Sequence, residues 1–275
     1  MWSSKDNADE GGLRWGKWKV SDDTCVLTNR WGNFCYLLLG SEKAMLIDTG
    51  YGEGNIREIA EDITDLPIVI VNTHGHCDHV GGNFYWNECC CGVNASADVA
   101  SGAPQEFLDY FWSNMPKDFI WHEVGDGDAF ELGGRKLEVF SMQSHATSGI
   151  ALLDKKNRWL FTGDEIDPGQ VLLDYNLDLH DPEELFRAHL KSVNKLLERK
   201  DEFDHLCPAH NGLFISPDYL EEFKILDEAL LAGTANKSAT PIGFNWTGEG
   251  LMDMDGNPYR EERAQYKNAS LVWRG

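Results

Sequence analysis

Short apolar runs separated by turn residues divide this chain into strands and a few helices. Cys25 to Thr28, Phe34 to Leu39 and Ala44 to Ile47 read as strands, the last two joined by the turn Gly40-Ser41-Glu42-Lys43. Leu66-Pro67-Ile68-Val69-Ile70-Val71 is so rich in β-branched residues that it reads as a fully buried strand. Between them, Asn55 to Ile63 sets Ile56, Ile59 and Ile63 at helical spacing. The second half repeats the idea with strands at Lys136 to Phe140, Ile150 to Leu153 and Trp159 to Thr162. A helix then opens at Asp181-Pro182-Glu183-Glu184, with Asp181 as N-cap, Pro182 in the first turn and Glu184 completing a capping box. Leu185, Phe186, His189, Leu190, Val193 and Leu197 mark its apolar face, so His189 reads as a packed helical histidine. A further helix runs from Ser216-Pro217 to about Leu231, where Gly233 stops it. Two strand-rich halves, each ending in helices, predict an α/β protein of two packed sheets with helices outside, four layers in all.

The polar residues that interrupt this pattern carry the chemistry. Directly after the buried strand comes Thr73-His74-Gly75-His76-Cys77-Asp78-His79-Val80-Gly81-Gly82, four potential metal ligands in six residues. Side chains two apart on a strand share a face, so the strand end is expected to deliver His74 and His76 to one side. The chain must then turn between Gly75 and Gly82, bringing Asp78 and His79 to a second position nearby. Two imidazoles for one cation and an imidazole plus a carboxylate for another is a two-metal arrangement. Further isolated polar residues close other apolar runs: Asp48 in Leu46-Ile47-Asp48-Thr49-Gly50, His145 in Ser144-His145-Ala146-Thr147-Ser148-Gly149, Asp164 after Trp159-Leu160-Phe161-Thr162-Gly163, and His210 after His205-Leu206-Cys207-Pro208-Ala209.

Taken in order, Asp48, the His74 to His79 cluster, His145, Asp164 and His210 resemble the five motifs of the metallo-β-lactamase-fold hydrolase superfamily, over about residues 20–232. The resemblance implies a four-layer αββα sandwich with metals at the sheet edge. It implies that His74, His76 and His145 hold one metal, that Asp78, His79 and His210 hold the second, and that Asp164 bridges both, with Asp48 behind the ligands. Elementary chemistry agrees, since a carboxylate can give one oxygen to each of two metals. A buried carboxylate such as Asp48 can likewise hold the second ring nitrogen of a ligating histidine. The cofactors implied are two divalent ions, zinc first, with manganese or iron as alternatives. Such a pair lowers the pKa of a bridging water toward about neutrality, so hydrolysis by a bridging hydroxide is the expected reaction, with Asp78 also placed to take up a proton.

Departures from known branches narrow the substrate. Two-zinc β-lactamases of this fold have cysteine or serine where Asp164 stands, the flavodiiron branch has glutamate where His76 stands, and homoserine-lactone lactonases place a tyrosine just after the bridging aspartate, where this chain has Glu165-Ile166-Asp167 and reaches Tyr175 only later. The loop at His145 lacks the proline usual in many relatives. The favoured expectation is a dinuclear hydrolase of a small-molecule ester, lactone, thioester or similar bond. The alternatives are a one-iron enzyme like the persulfide dioxygenases, a phosphodiesterase of the same fold, and a scavenging metal protein.

Composition adds limits. In 275 residues, 24 Lys and Arg face 46 Asp and Glu, a net charge of -22 that opposes attraction to nucleic acid and to anionic membranes. No apolar segment reads as a leader or a membrane span, which points to a cytoplasmic protein acting on a small molecule, with self-association left open. The seven cysteines, three of them consecutive at Cys89 to Cys91, suit a reducing compartment and read as small buried hydrophobes, with Cys77 a spacer inside the ligand motif. His122, His180 and His205 read as surface or core histidines. The expected organisation is an N-terminal extension at 1–19, one domain at 20–232, and a C-terminal extension at 233–275 packing on it. Aromatics at Gly102 to His122 (Phe107, Tyr110, Phe111, Trp112, Trp121) and at Thr234 to Gly275 (Phe244, Trp246, Tyr259, Tyr266, Trp273) either cover a pocket mouth or pad the outside of the core.

Overall fold

A strand that is apolar on both faces needs cover on both sides, and the strands of this chain find it between paired sheets and outer helices. The structure, a computed structural model, describes residues 15–100, 103–173, 181–240 and 261–274. The expectations attached to Tyr175, His180, Phe244, Trp246 and Tyr259, and to residues 1–14 of the N-terminal extension, lie outside those residues.

The first sheet takes β1 (Gly16–Ser21), β2 (Thr24–Thr28), β3 (Phe34–Leu39), β4 (Ala44–Ile47), β5 (Ile68–Val71), β6 (Glu88–Cys91) and β7 (Ile120–Glu123) in that spatial order. Its helices are α1 (Ile56–Glu61), the single turn α2 (Cys77–Val80), α3 (Ala95–Ala100) and α4 (Gln105–Asn114). The second sheet is built from β8 (Ala129–Glu131), β9 (Lys136–Ser141), β10 (Ile150–Asp154), β11 (Trp159–Gly163) and, later in the chain, β13 (His205–Pro208). Between β11 and β13 come β12 (Val171–Leu172) and α5 (Pro182–Leu197); after them come α6 (Asp218–Leu231), β14 (Lys237–Thr240), β15 (Glu261–Tyr266) and β16 (Ala269–Arg274).

Alternation within single strands makes the four layers. On β3 and β4, Tyr36, Leu38, Met45 and Ile47 point inward and meet Leu137, Val139, Leu152 and Phe161 of the facing sheet. Their neighbours Cys35, Leu37, Ala44 and Leu46 point outward onto Ile56, Ile59 and Ala60 of α1. In the second sheet Phe140, Ala151, Leu153 and Leu160 point out onto Leu185, Phe186, Val193, Leu220 and Phe223 of α5 and α6. Helix, sheet, sheet, helix is the order predicted from the sequence.

Particular elements differ from expectation for local reasons. β5 begins at Ile68 because Pro67 has no N–H; only its carbonyl joins the ladder, accepting from Ala44 N at 2.9 Å. Asp181 caps α5 as expected, accepting from Glu183 N at 2.9 Å. Part of the aromatic stretch that ends at His122 is built into the fold: β7 extends the first sheet, and Phe111 of α4 packs with Val80 and Val99 behind α2. Tyr110 and Trp112 remain half exposed. The C-terminal region contributes a third, four-stranded sheet in the order β12-β16-β15-β14. Its Trp273, 1 % exposed, packs edge-on against Phe186 at 4.8 Å, so this aromatic pads the core.

All seven cysteines are unpaired, and burial pushes the Cys77 thiol up to about 12 and Cys90 to about 11. Among the described residues no helix is long and apolar enough to cross a membrane.

Candidate metal centre

Direction of travel decides where the polar residues meet. β4, β5 and β6 run parallel, as do β11 and β13, and β9 runs the same way as β11 because each is antiparallel to β10. The loops carrying Asp48, His74 to His79, His145, Asp164 and His210 therefore all leave at C-terminal strand ends, and they converge at one end of the sandwich.

Two groups form there, His74, His76 and His145 in one and Asp78, His79, Asp164 and His210 in the other, with the ligand atoms of each group within 4.8 Å of one another. In the first group His76 Nδ1 lies 2.9 Å from His74 Nε2 and 3.0 Å from His145 Nε2. In the second, Asp78 Oδ2 lies 3.1 Å from His210 Nε2 and 3.4 Å from His79 Nε2. Asp164 stands between the groups: Oδ1 is 3.5 Å from His79 Nε2, and Oδ2 is 3.4 Å from His210 Nε2 and 3.7 Å from His145 Nε2.

His74 and His76 do not ride on a strand face. β5 ends at Val71, and the two rings sit on the bent loop that follows, held close to α3 at Gly75, where a Cβ would fall 2.4 Å from Ala95 O and 2.7 Å from Asp98 Cβ. Gly75 N donates to Ser148 Oγ at 2.8 Å, and Ser148 is in turn held by the Asp98 carboxylate, so this bend and the His145 loop share a support.

Hydrogen-bond partners fix which ring nitrogens are free to bind a cation. His145 Nδ1 lies 2.7 Å from the Leu172 carbonyl, which can only accept, so the proton sits there and Nε2 presents a lone pair. His79 Nδ1 is held by Asp48 Oδ2 at 2.9 Å, which turns its Nε2 toward the two aspartates. Thr73 Oγ1 spends its single hydrogen on Asp48 Oδ2 at 2.9 Å and can accept from His74 Nδ1 at 3.1 Å. Asp48 therefore stands behind a histidine of each group, directly for His79 and through Thr73 for His74.

This donor set fits divalent cations. Burial, reinforced by neighbouring imidazoles, holds His74 well below its ordinary value and His76 down at about 3, so these two rings are neutral and can turn lone pairs toward a cation. In the second group burial opposes charge on Asp78, but His79 and His210 outweigh it and keep the carboxylate ionised. Burial likewise opposes charge on His210, yet Asp164 and Asp78 lift it to about 9. Two carboxylates holding imidazolium protons mark a place that demands positive charge, which a metal would supply while displacing protons. His79 Nε2 and Asp164 Oδ1 are buried without a hydrogen bond, a cost that a cation would relieve.

Two residues at this end escaped the sequence reading. Asn33, 2 % exposed, gives its side-chain N–H to Asp78 Oδ2 at 3.0 Å and Asp78 O at 3.2 Å, and lies 3.4 Å from His210 Nε2. It is a polar residue abutting an apolar run, the same signal that found the others, but at the start of a strand. Glu165 accepts from Ser144 N and Oγ and from His145 N, at 2.9 Å for the last. His122 and His205 join neither group: His122 is exposed and pairs with Glu88 at 2.9 Å, and His205 lies against Phe214. His189 is fully buried.

Residues 28–210, well over half the chain, match the metallo-beta-lactamase superfamily. The chain is 28 % identical over 209 residues to the acyl-coenzyme A thioesterase MBLAC2 of Homo sapiens, covering 65 % of this chain and 73 % of that one. It is 27 % identical over 136 residues to a hydroxyacylglutathione hydrolase of Bdellovibrio bacteriovorus, 49 % of each chain. Among solved structures, a metallo-beta-lactamase from Pontibacter korlensis superposes with a TM-score of 0.56 at 19 % identity, covering 78 % of this chain and 99 % of that one.

Proposed function

This chain belongs to the metallo-beta-lactamase superfamily and is a hydrolase, and from that premise we propose that it is a dinuclear metal enzyme cleaving a small-molecule thioester or related carboxylic ester. The observation that carries the reading is the Asp164 carboxylate, whose two oxygens lie within 3.7 Å of imidazole nitrogens from both groups. His74, His76 and His145 would hold one ion, Asp78, His79 and His210 the other, and Asp164 both. Two such ions, zinc, manganese or iron, would supply a nucleophilic water ionised near neutral pH and polarise the acyl carbonyl.

The chain's own residues supply the rest. Asp48 and Leu172 O keep their histidines in the tautomer that turns a lone pair inward. Asn33 fixes the Asp78 carboxylate by hydrogen bond, leaving Asp78 to take up the proton that the attacking water releases. Asp78, Asp164 and His210 keep between 15 and 23 % of their side-chain surface open, whereas His74, His76 and His145 of the first group are buried, so substrate enters over the second group. The choice of thioester follows the acyl-coenzyme A thioesterase relative, and an aspartate at position 164 argues against β-lactams.

The test is a steady-state panel on metal-loaded protein: acyl-coenzyme A and acyl-glutathione thioesters, simple esters, lactones, a penicillin, a phosphodiester and RNA. Thioester or ester turnover should dominate, disappear with a chelator and return with zinc or manganese. A preference for penicillin, phosphodiester or RNA would overturn the reading, and oxygen consumption with a persulfide would replace it with iron-dependent sulfur oxidation.

A further inference from the structure

His189 and Asp227 form a fully buried pair between α5 and α6, Nδ1 to Oδ2 at 2.8 Å, inside the apolar cluster of Leu185, Phe186, Val193 and Phe223. A buried pair of this kind is weak as a source of stability, since a well-packed apolar pair commonly does as well or better, and here Asp227 Oδ1 is also left without a hydrogen bond. The pair has a third partner. His189 Nε2 lies 3.2 Å from the backbone carbonyl of Glu165, an acceptor only, so Nε2 carries the proton. Burial pulls the imidazole down, but the Asp227 carboxylate more than compensates and keeps it above its ordinary value, which preserves that donor.

Glu165 links two loops of the metal centre. It follows Asp164 directly, is 3 % exposed, and its carboxylate is satisfied by the other loop: Ser144 Oγ at 2.6 Å, Ser144 N at 3.2 Å and His145 N at 2.9 Å. We propose that Asp227 and His189 are positioning residues that hold Glu165 and, through its carboxylate, set the place from which His145 reaches the other ligands. The brace does for this loop what a rigid loop residue would otherwise do: it removes freedom from the backbone at His145 while Leu172 O orients the ring. It rests on the reading of His145 and Asp164 as metal ligands.

Cobalt(II) binding to the metal-stripped full chain tests both layers, because its visible spectrum reports ligand geometry without any need for turnover. The double variant His189→Leu with Asp227→Leu keeps the apolar packing, removes the donor and strands no buried carboxylate. It should leave the melting temperature within a few degrees of wild type, weaken one of two cobalt sites by about 10- to 100-fold, and alter the spectrum. His189→Gln, which returns an N–H near the position of Nε2, should recover most of that affinity. Glu165→Gln, acting one step closer, should reproduce the loss. Wild-type affinity and spectrum in the folded double variant or in Glu165→Gln would overturn the proposal, and so would failure of both to fold, which would make the pair a stability element. His145→Ala separates the layers: unchanged cobalt binding there defeats the ligand reading itself and takes the brace down with it.

Discussion

Asp48 sits in the left-handed region at φ 63°, a conformation that aspartate and asparagine tolerate better than most residues. Its backbone N–H bonds Val71 O at 2.9 Å, and its carboxylate takes Thr73 N, Thr73 Oγ1 and His79 Nδ1, so the strained residue is held from every side. Asp48→Asn keeps the backbone preference and removes the charge. Because Asp48 backs a histidine of each proposed site, both zinc affinities should fall about 10- to 100-fold with the fold intact. Competition with a chelating dye measures this, and a loss at one site alone would break the Thr73 link to His74. That Asp48 could hold a histidine ring was legible as a lone carboxylate closing an apolar strand, and it does hold His79. The roles of Thr73 and Asn33 were not, because a hydrogen bond between loops depends on which strand ends meet, and single-strand patterns carry no such information.

Strands β2 to β5, β10 and β11 were legible because both of their faces are apolar, and β9 because Leu137, Val139 and Phe140 stand out in it, while the outer pieces were not. β15 reads Glu-Glu-Arg-Ala-Gln-Tyr, with Ala264 buried, and β7 reads Ile-Trp-His-Glu at a sheet edge, so neither carries an alternation strong enough to read. The turn between β1 and β2 shows what charged positions do at this scale. Asp23 bonds Lys156 at 2.8 Å and Asn157 at 3.3 Å and lies 3.6 Å from Arg135, tying the first sheet to the turn between β10 and β11. Partial burial opposes its ionisation, but Lys156 and its other partners prevail and bring it to about 2 from an ordinary 3.8. A carboxyl depressed on folding stabilises above its unfolded value and loses that contribution as pH falls through the folded one. Asp23→Asn should therefore melt at a lower temperature than wild type at pH 7, with the gap narrowing below about pH 4 and closing near pH 2. A gap that stays constant across that range would assign the effect to hydrogen bonding alone.

For the whole molecule, the net charge of -22 acts on every approaching ligand. A like-charged substrate is slowed by this field and relieved by salt, whereas an uncharged one is indifferent. Acyl-coenzyme A turnover should therefore show kcat/KM rising several-fold between about 20 and 200 mM salt, with a neutral ester nearly flat. A fall for acyl-coenzyme A would mean that cationic groups at the mouth dominate the global field. The parallel pairing of β12 with β16 reaches further still. Val171 and Leu172 meet Leu271 and Val272, and Leu172 O is the acceptor that orients His145. During synthesis at roughly 5–20 residues per second, that partner strand emerges about 5–20 s after β12. The nascent chain thus carries His145 well before the strand that pairs beside its orienting carbonyl has been made, and the proposed loading with metal would be a late step of maturation.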